Sequence, residues 1–254
     1  MPKPKLCQTL QSFRDQSKIF VTNRMPRLDV AELGSAFQVS NDRSRHMSLV
    51  ILDLPSPASL RGGWAAFSAV CASRGWKDDS YATTDEWRYH DGGGNWACLR
   101  FLGDGRGVLV GHDHEYSETY FGEAAEYFNE EETDLLANAP DWWRQNLSGS
   151  PFGDWLGFIY GWDGMRWQRA SYEKSDGFKM LGLLECCSTN NTDQLAKHAA
   201  DAPGLNGYAP CPEALAALVN ADASVNRHLL ESVVPGWDIV AGVAAARKFL
   251  EAKL

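Results

Sequence analysis

The side chains best suited to chemistry cluster in Gly107–Phe121, GVLVGHDHEYSETYF, where His112, Asp113, His114, Glu115 and Glu118 follow an apolar run. Imidazole nitrogens and carboxylate oxygens are the usual ligands of zinc and related ions. On an extended strand His112 and His114 would face the same way and could grip one ion, with Glu118 four residues further on. A plainer reading takes the two histidines as strand-end residues, paired with local carboxylates or solvated. A third takes the stretch as the start of an acidic surface that meets another protein.

Other chemistries leave weaker marks. No G-x-S-x-G is present, and Ser148 and Ser150 in NLSGSPFG have no base marked beside them. DGGGNW (91–96) is glycine-rich, but it lacks the lysine and the strand–helix setting of a phosphate loop and reads as a turn. The six cysteines, Cys7, Cys71, Cys98, Cys186, Cys187 and Cys211, form no C-x-x-C, so a zinc knuckle is not expected and they read as thiols. The adjacent Cys186 and Cys187 read as two small buried residues.

Charge carries more. The 254 residues hold 33 Asp and Glu against 24 Lys and Arg, a net charge of −9. That argues against a general nucleic-acid or anionic-membrane binder, which needs a basic footprint, and it suits a basic protein partner. From Gly107 to Trp143 there is no Lys or Arg at all. A face that needs only solubility usually mixes both signs, and a run of one sign repels itself. Asp113, Glu115, Tyr116, Glu118, Glu123, Glu126, Glu130, Glu131, Glu132, Asp134, Trp142 and Trp143 are therefore the expected partner-binding set. The bland alternative is a solvated helix face with its aromatics turned inward.

These residues need elements to position them. NWACLRFL and GVLVGH flank the glycine-rich GDGR (103–106) and predict a central hairpin, apolar on both faces. DWLGFIYGW and MRWQRASY meet at Asp163-Gly164, a pair favoured in type I′ turns, and predict a second hairpin with a half-exposed second arm. DEWRYH (85–90) reads as a strand, and MSLVILDLP (47–55) as a buried strand stopped by Pro55. Ser56 as cap, Pro57 at the first position and Gly75 at the end bound a helix over 56–74. Its apolar face is Leu60, Trp64, Phe67 and Cys71, and Gly62 and Gly63 weaken its first turns. A short helix from Asp29 is expected before it. After about residue 190 the chain reads as helices, in PEALAALVN, SVNRHLLESVV and DIVAGVAAARKFLEAKL. The order predicts an α+β fold: an antiparallel sheet of central hairpins packed by the 56–74 helix and C-terminal helices. One domain over 1–254 is expected, with 190–254 as an alternative helical lobe. Most of the ten Trp should be core, though not both of Trp142-Trp143. No leader sequence and no membrane span is legible, which predicts a cytoplasmic location.

Two family resemblances follow from these residues. LGDGRGVLVGHDHEYSETYF, the acids after it and DLLANAPDWW resemble bacterial polymorphic-toxin immunity proteins, in particular the immunity protein 52 family. The likeness covers about residues 85–170 and rests on the Gly-Asp-Gly turn, Gly111-His112-Asp113, Tyr116, Glu118 and Trp142-Trp143. Members of that family are found beside toxins with a restriction-endonuclease-like nuclease domain, some delivered by type VI secretion. The resemblance implies a protein without catalysis or cofactor that binds and blocks such a nuclease in the cytoplasm. A SUKH-type or other immunity fold against a non-nuclease toxin would differ only in partner. The H-x-H-x3-E at His112, His114 and Glu118 is also similar to the first metal motif of the cupin barrels, which would imply a metalloenzyme. Its flanking glycines depart from that motif, and no Pro-x-Gly followed by a histidine supplies the second half.

Overall fold

The Ser56 hydroxyl accepts the backbone N–H of Ser59 (3.2 Å), Pro57 takes the first helical position, and Gly75 closes the last turn at φ 95°. These three residues fix helix α1, Pro57–Arg74, at the bounds the sequence predicts. The computed structural model describes residues 49–147, 155–187 and 192–253, all within the unit Met47–Leu254. The helix expected from Asp29 and the loop with Ser148 and Ser150 lie outside the described residues.

Around α1 stands one antiparallel sheet of seven strands: β1 (Val50–Leu52), β2 (Ser80–Ala82), β3 (Glu86–His90), β4 (Trp96–Phe101), β5 (Gly107–His112), β6 (Phe158–Trp162) and β7 (Trp167–Arg169). Strands β2 to β7 follow one another as a meander, and β1 returns to pair with β7, giving the order β1-β7-β6-β5-β4-β3-β2. The first hairpin is central, with Leu99 opposite Leu109 and Cys98 opposite Val110. In the second hairpin the turn differs from the expectation. Of its two central residues, Gly164 and Met165, only Gly164 has positive φ (98°), the glycine-first pattern of a II′ turn rather than I′. The Asp163 carboxylate accepts the N–H groups of Met165 and Arg166, both at 2.9 Å, which draws the turn closed. Strand β1 also departs from the buried strand expected over 47–55. It is a three-residue edge, and Ile51 is 58% exposed.

Alternation along the strands builds two cores. Trp87, Leu99, Leu109, Phe158, Tyr160 and Trp167 face α1 and the later helices. Trp96, Cys98, Val108, Val110 and Ile159 face the other way, towards Leu135, Leu136, Trp143 and Leu156. On the helical side, α5 (Asp193–Ala199), α6 (Pro212–Asn220) and α8 (Ile239–Arg247) pack on α1, with α7 (Arg227–Val233) joining α6 and α8. These helices share one core with the sheet.

Helix α1 is therefore not amphipathic in the way its sequence suggests. Gly62 to Ser73 are all buried, because sheet and helices enclose it. Its two glycines mark close approach rather than weakness. A Cβ at Gly62 would overlap the carbonyl oxygen of Val219, and one at Gly63 would overlap the backbone of Cys187. No helix of the described residues is long and apolar enough to cross a membrane.

An acidic and aromatic candidate site

Strand β5 ends at His112, and the chain turns at once. The Asp113 carboxylate accepts the N–H groups of Glu115 (3.0 Å) and Tyr116 (2.9 Å) through Oδ1, and Asp113 N–H donates to the Ser117 hydroxyl (3.1 Å). This side-chain turn replaces the extended backbone that would have set His112 and His114 on one face. The three residues of H-x-H-x3-E go separate ways. His112 is buried with its ring against Trp155, centroids 3.9 Å apart. The His114 ring Nδ1 meets Asn95 Oδ1 at 2.7 Å. Glu118 Oε2 accepts the Ser175 N–H at 3.3 Å. Among the described residues no three His, Cys, Asp or Glu side chains are grouped to hold an ion. The sheet is also open rather than a barrel, with β1 and β2 at its two ends.

Burial pushes the His112 imidazole down from the ordinary 6.5 to about 3, helped by His114 nearby. Between these values the unfolded chain takes up a proton that the folded ring refuses. The stability contribution is complete above pH 6.5 and is lost as pH falls through the window. The slope is about 1.4 kcal/mol per pH unit for one such group. Urea unfolding of the protein and of His112→Phe, at about pH 6 and about pH 4, is expected to show a flatter pH dependence in the variant. Equal slopes would mean that His112 is not held neutral inside.

The four buried thiols among the described residues, Cys71, Cys98, Cys186 and Cys187, give no nucleophile. Burial pushes Cys98 and Cys186 up to about 12, and raises Cys71 and Cys187 as well. A buried, protonated thiol is inert.

The acidic run is divided by the structure. Glu115, Glu118, Glu123, Glu126, Glu130, Glu131, Glu132 and Asp134 are exposed, as is Tyr116. Two members of the expected set are not available to a partner. Asp113 is fully buried as the turn residue just described, and Trp143 is fully buried under the sheet, where Gly161 has no side chain to obstruct its ring. Trp142 is half-buried, with the Arg106 guanidinium 4.9 Å above its ring. Short helices α2 (Glu123–Phe128) and α3 (Asp141–Arg144) carry part of the run. Helix α2 buries Ala124 and Ala125 and turns Glu123, Glu126 and Tyr127 outward. Among the described residues, Lys174 is the one lysine or arginine that forms an ion pair with these carboxylates, at 3.7 Å from Glu131.

At the middle of the acids sits an aromatic cluster. Tyr120 stacks on Trp155 at 5.1 Å and 13°, Phe128 lies 4.7 Å from Trp155, and Tyr127 meets Phe128 edge-on at 5.0 Å. Tyr127 is 52% exposed. Burial, Glu130 and Glu118 together raise the Tyr120 hydroxyl pKa, so both carboxylates act on this ring. The Trp155 indole N–H donates to Thr119 O (3.0 Å), which locks the stack. The sequence places Trp155 in the first arm of the second hairpin and not in the partner-binding set, and the structure starts that strand only at Phe158. Trp155 joins the site because Phe158, three residues later, pairs with Gly111, next to His112.

No family model matches the chain, and neither a curated protein nor a solved structure matches it.

Proposed function

We propose that this protein is an immunity-type inhibitor, a cytoplasmic, non-enzymatic binder that neutralises a nuclease toxin delivered between bacteria, as by type VI secretion. The observation that carries the reading is the exposed acidic run, matched by a single lysine among the described residues and set around half-exposed rings. Such a face complements the lysines and arginines with which a nuclease holds phosphates. Carboxylates supply steering and register, while Tyr127, Phe128 and Tyr116 supply area that anchors a contact. Asp113 and Trp143 act from beneath, as the turn and the support of that surface. A tight complex of this kind buries on the order of 1,600 Å² in total.

The test pairs the purified protein with the C-terminal nuclease domain of the toxin encoded beside its gene, with DNA cleavage as the readout. The expected result is a stoichiometric block of cleavage. Unimpeded cleavage by that nuclease, or a gene neighbourhood without any toxin, overturns the reading.

A further inference from the structure

At the β1 end of the sheet lies a cleft of ≈ 540 Å³, which adjoins the acidic surface where Lys174 meets Glu131 and Ser175 N–H donates to Glu118. Its floor is the helix side of β1, β7 and β6, where Arg169 stands between Val50 and Tyr160, its direct cross-strand partners. Leu52, Leu54, Phe178 and Leu184 give it apolar walls, and Lys179 stands among the residues that line it. This is the size and mixture of an organic-ligand site, an apolar body with a few convergent polar groups.

The charges are unusual. The chain carries −9 overall, yet the cleft is lined by Arg169, Lys174 and Lys179 against Asp53 and Asp176. Asp176 already holds three donors. Its Oδ2 accepts the hydroxyls of Tyr160 (2.6 Å) and Tyr172 (2.8 Å), and its Oδ1 accepts Phe178 N–H (3.2 Å). Arg169 is half-buried, and among the described residues no carboxylate forms an ion pair with it. Its Nη1 donates to Ala170 O (3.1 Å) and Tyr172 O (3.2 Å), and its Cζ lies 4.0 Å from the centroid of the Tyr172 ring. The guanidinium is thus fixed in place, and the Tyr172 side chain also hydrogen-bonds it, with no ion-paired carboxylate on its remaining edge among the described residues. A pre-set guanidinium edge without an ion-paired carboxylate suits a planar carboxylate.

We propose that this cleft binds a small amphipathic carboxylate, its head on the open edge of Arg169 and its apolar body, on the order of ten carbons, along Leu52, Leu54 and Leu184. Lys179 adds attraction at the mouth, while Lys174 turns towards Glu131. The site is independent of the toxin-binding reading.

Calorimetric titration of the full chain with decanoate, and with decanol as the uncharged control, tests it. Saturable one-to-one binding of decanoate, about tenfold or more tighter than decanol, is expected, because a charged hydrogen-bonded pair contributes at least that factor. In folded Arg169→Gln the preference for decanoate should fall by about tenfold. Should that variant fail to fold, Lys179→Glu decides, since its side chain is exposed and forms no ion pair among the described residues, and weaker decanoate binding is then the supporting result. Equal binding of the two probes, no saturable binding, parent-like binding by a folded Arg169→Gln, or by Lys179→Glu where that variant decides, each overturns the proposal.

Discussion

Gly63→Ala is expected to destabilise the protein by about 2 kcal/mol or more, although alanine is the better helix former by about 1 kcal/mol. The new methyl would sit inside the backbone of Cys187, at the end of α4 (Leu183–Cys186), and backbone cannot rotate away as a side-chain tip can. Relief requires α1 to move from the 183–187 segment. That opens the core in which Trp64, Phe67 and Leu183 are buried to within 1% of full enclosure. The measurement is a urea unfolding curve, where the midpoint should fall by about 1 M at a slope typical of such domains. A midpoint equal to or above that of the parent would show that the helices are not in contact at Gly63.

The same residue shows where sequence reasoning stops. Caps and turn residues are local, so the bounds of α1 are legible from Ser56, Pro57 and Gly75 and the first hairpin from the 103–106 glycines, while the second hairpin is legible at Asp163-Gly164 but its strands are shorter than its two arms suggest. Gly62 and Gly63 also look local, as a loss of helix propensity, but their reason lies in partners far along the chain, Val219 and Cys187. Strand β1 looked buried because it is apolar, yet its place at the sheet's edge depends on a pairing with Arg169 that no local pattern announces. In the candidate site the sign of the charge was legible and its division was not. Asp113 is read as one acid among ten until the strand is seen to end at His112. Its spacing to Ser117, and the N–H groups of Glu115 and Tyr116, were the available hint of a side-chain turn. Trp155 could not be found from the run, since only the register of β6 on β5 brings it there.

The second large effect concerns association. Replacing Glu123, Glu126 and Glu130 together by lysine should slow binding to the proposed basic toxin by about tenfold or more at low salt, the range over which steering acts. All three side chains are exposed and none forms an ion pair with a described residue, so the melting temperature should stay near that of the parent. Dissociation should change less than association, because rim charges mainly set encounter. The gap between variant and parent should close towards 1 M salt, where the screening length is about 3 Å. Stopped-flow association at two salt concentrations measures this. An unchanged low-salt rate, with binding intact, would move the contact surface away from α2.

The acidic and aromatic face is carried almost wholly by the chain between β5 and β6, which leaves at His112 and returns through Gly157, whose N–H donates to Gly111 O at 2.8 Å. Its two ends are clamped side by side in the middle of the sheet, so lengthening or rewriting what hangs between them alters closure entropy only slowly. Its Leu135, Leu136 and Trp143 also close the second core, so what can be rewritten at little cost is its exposed positions while those buried ones are kept. Diversity among descendants should concentrate between those two strands.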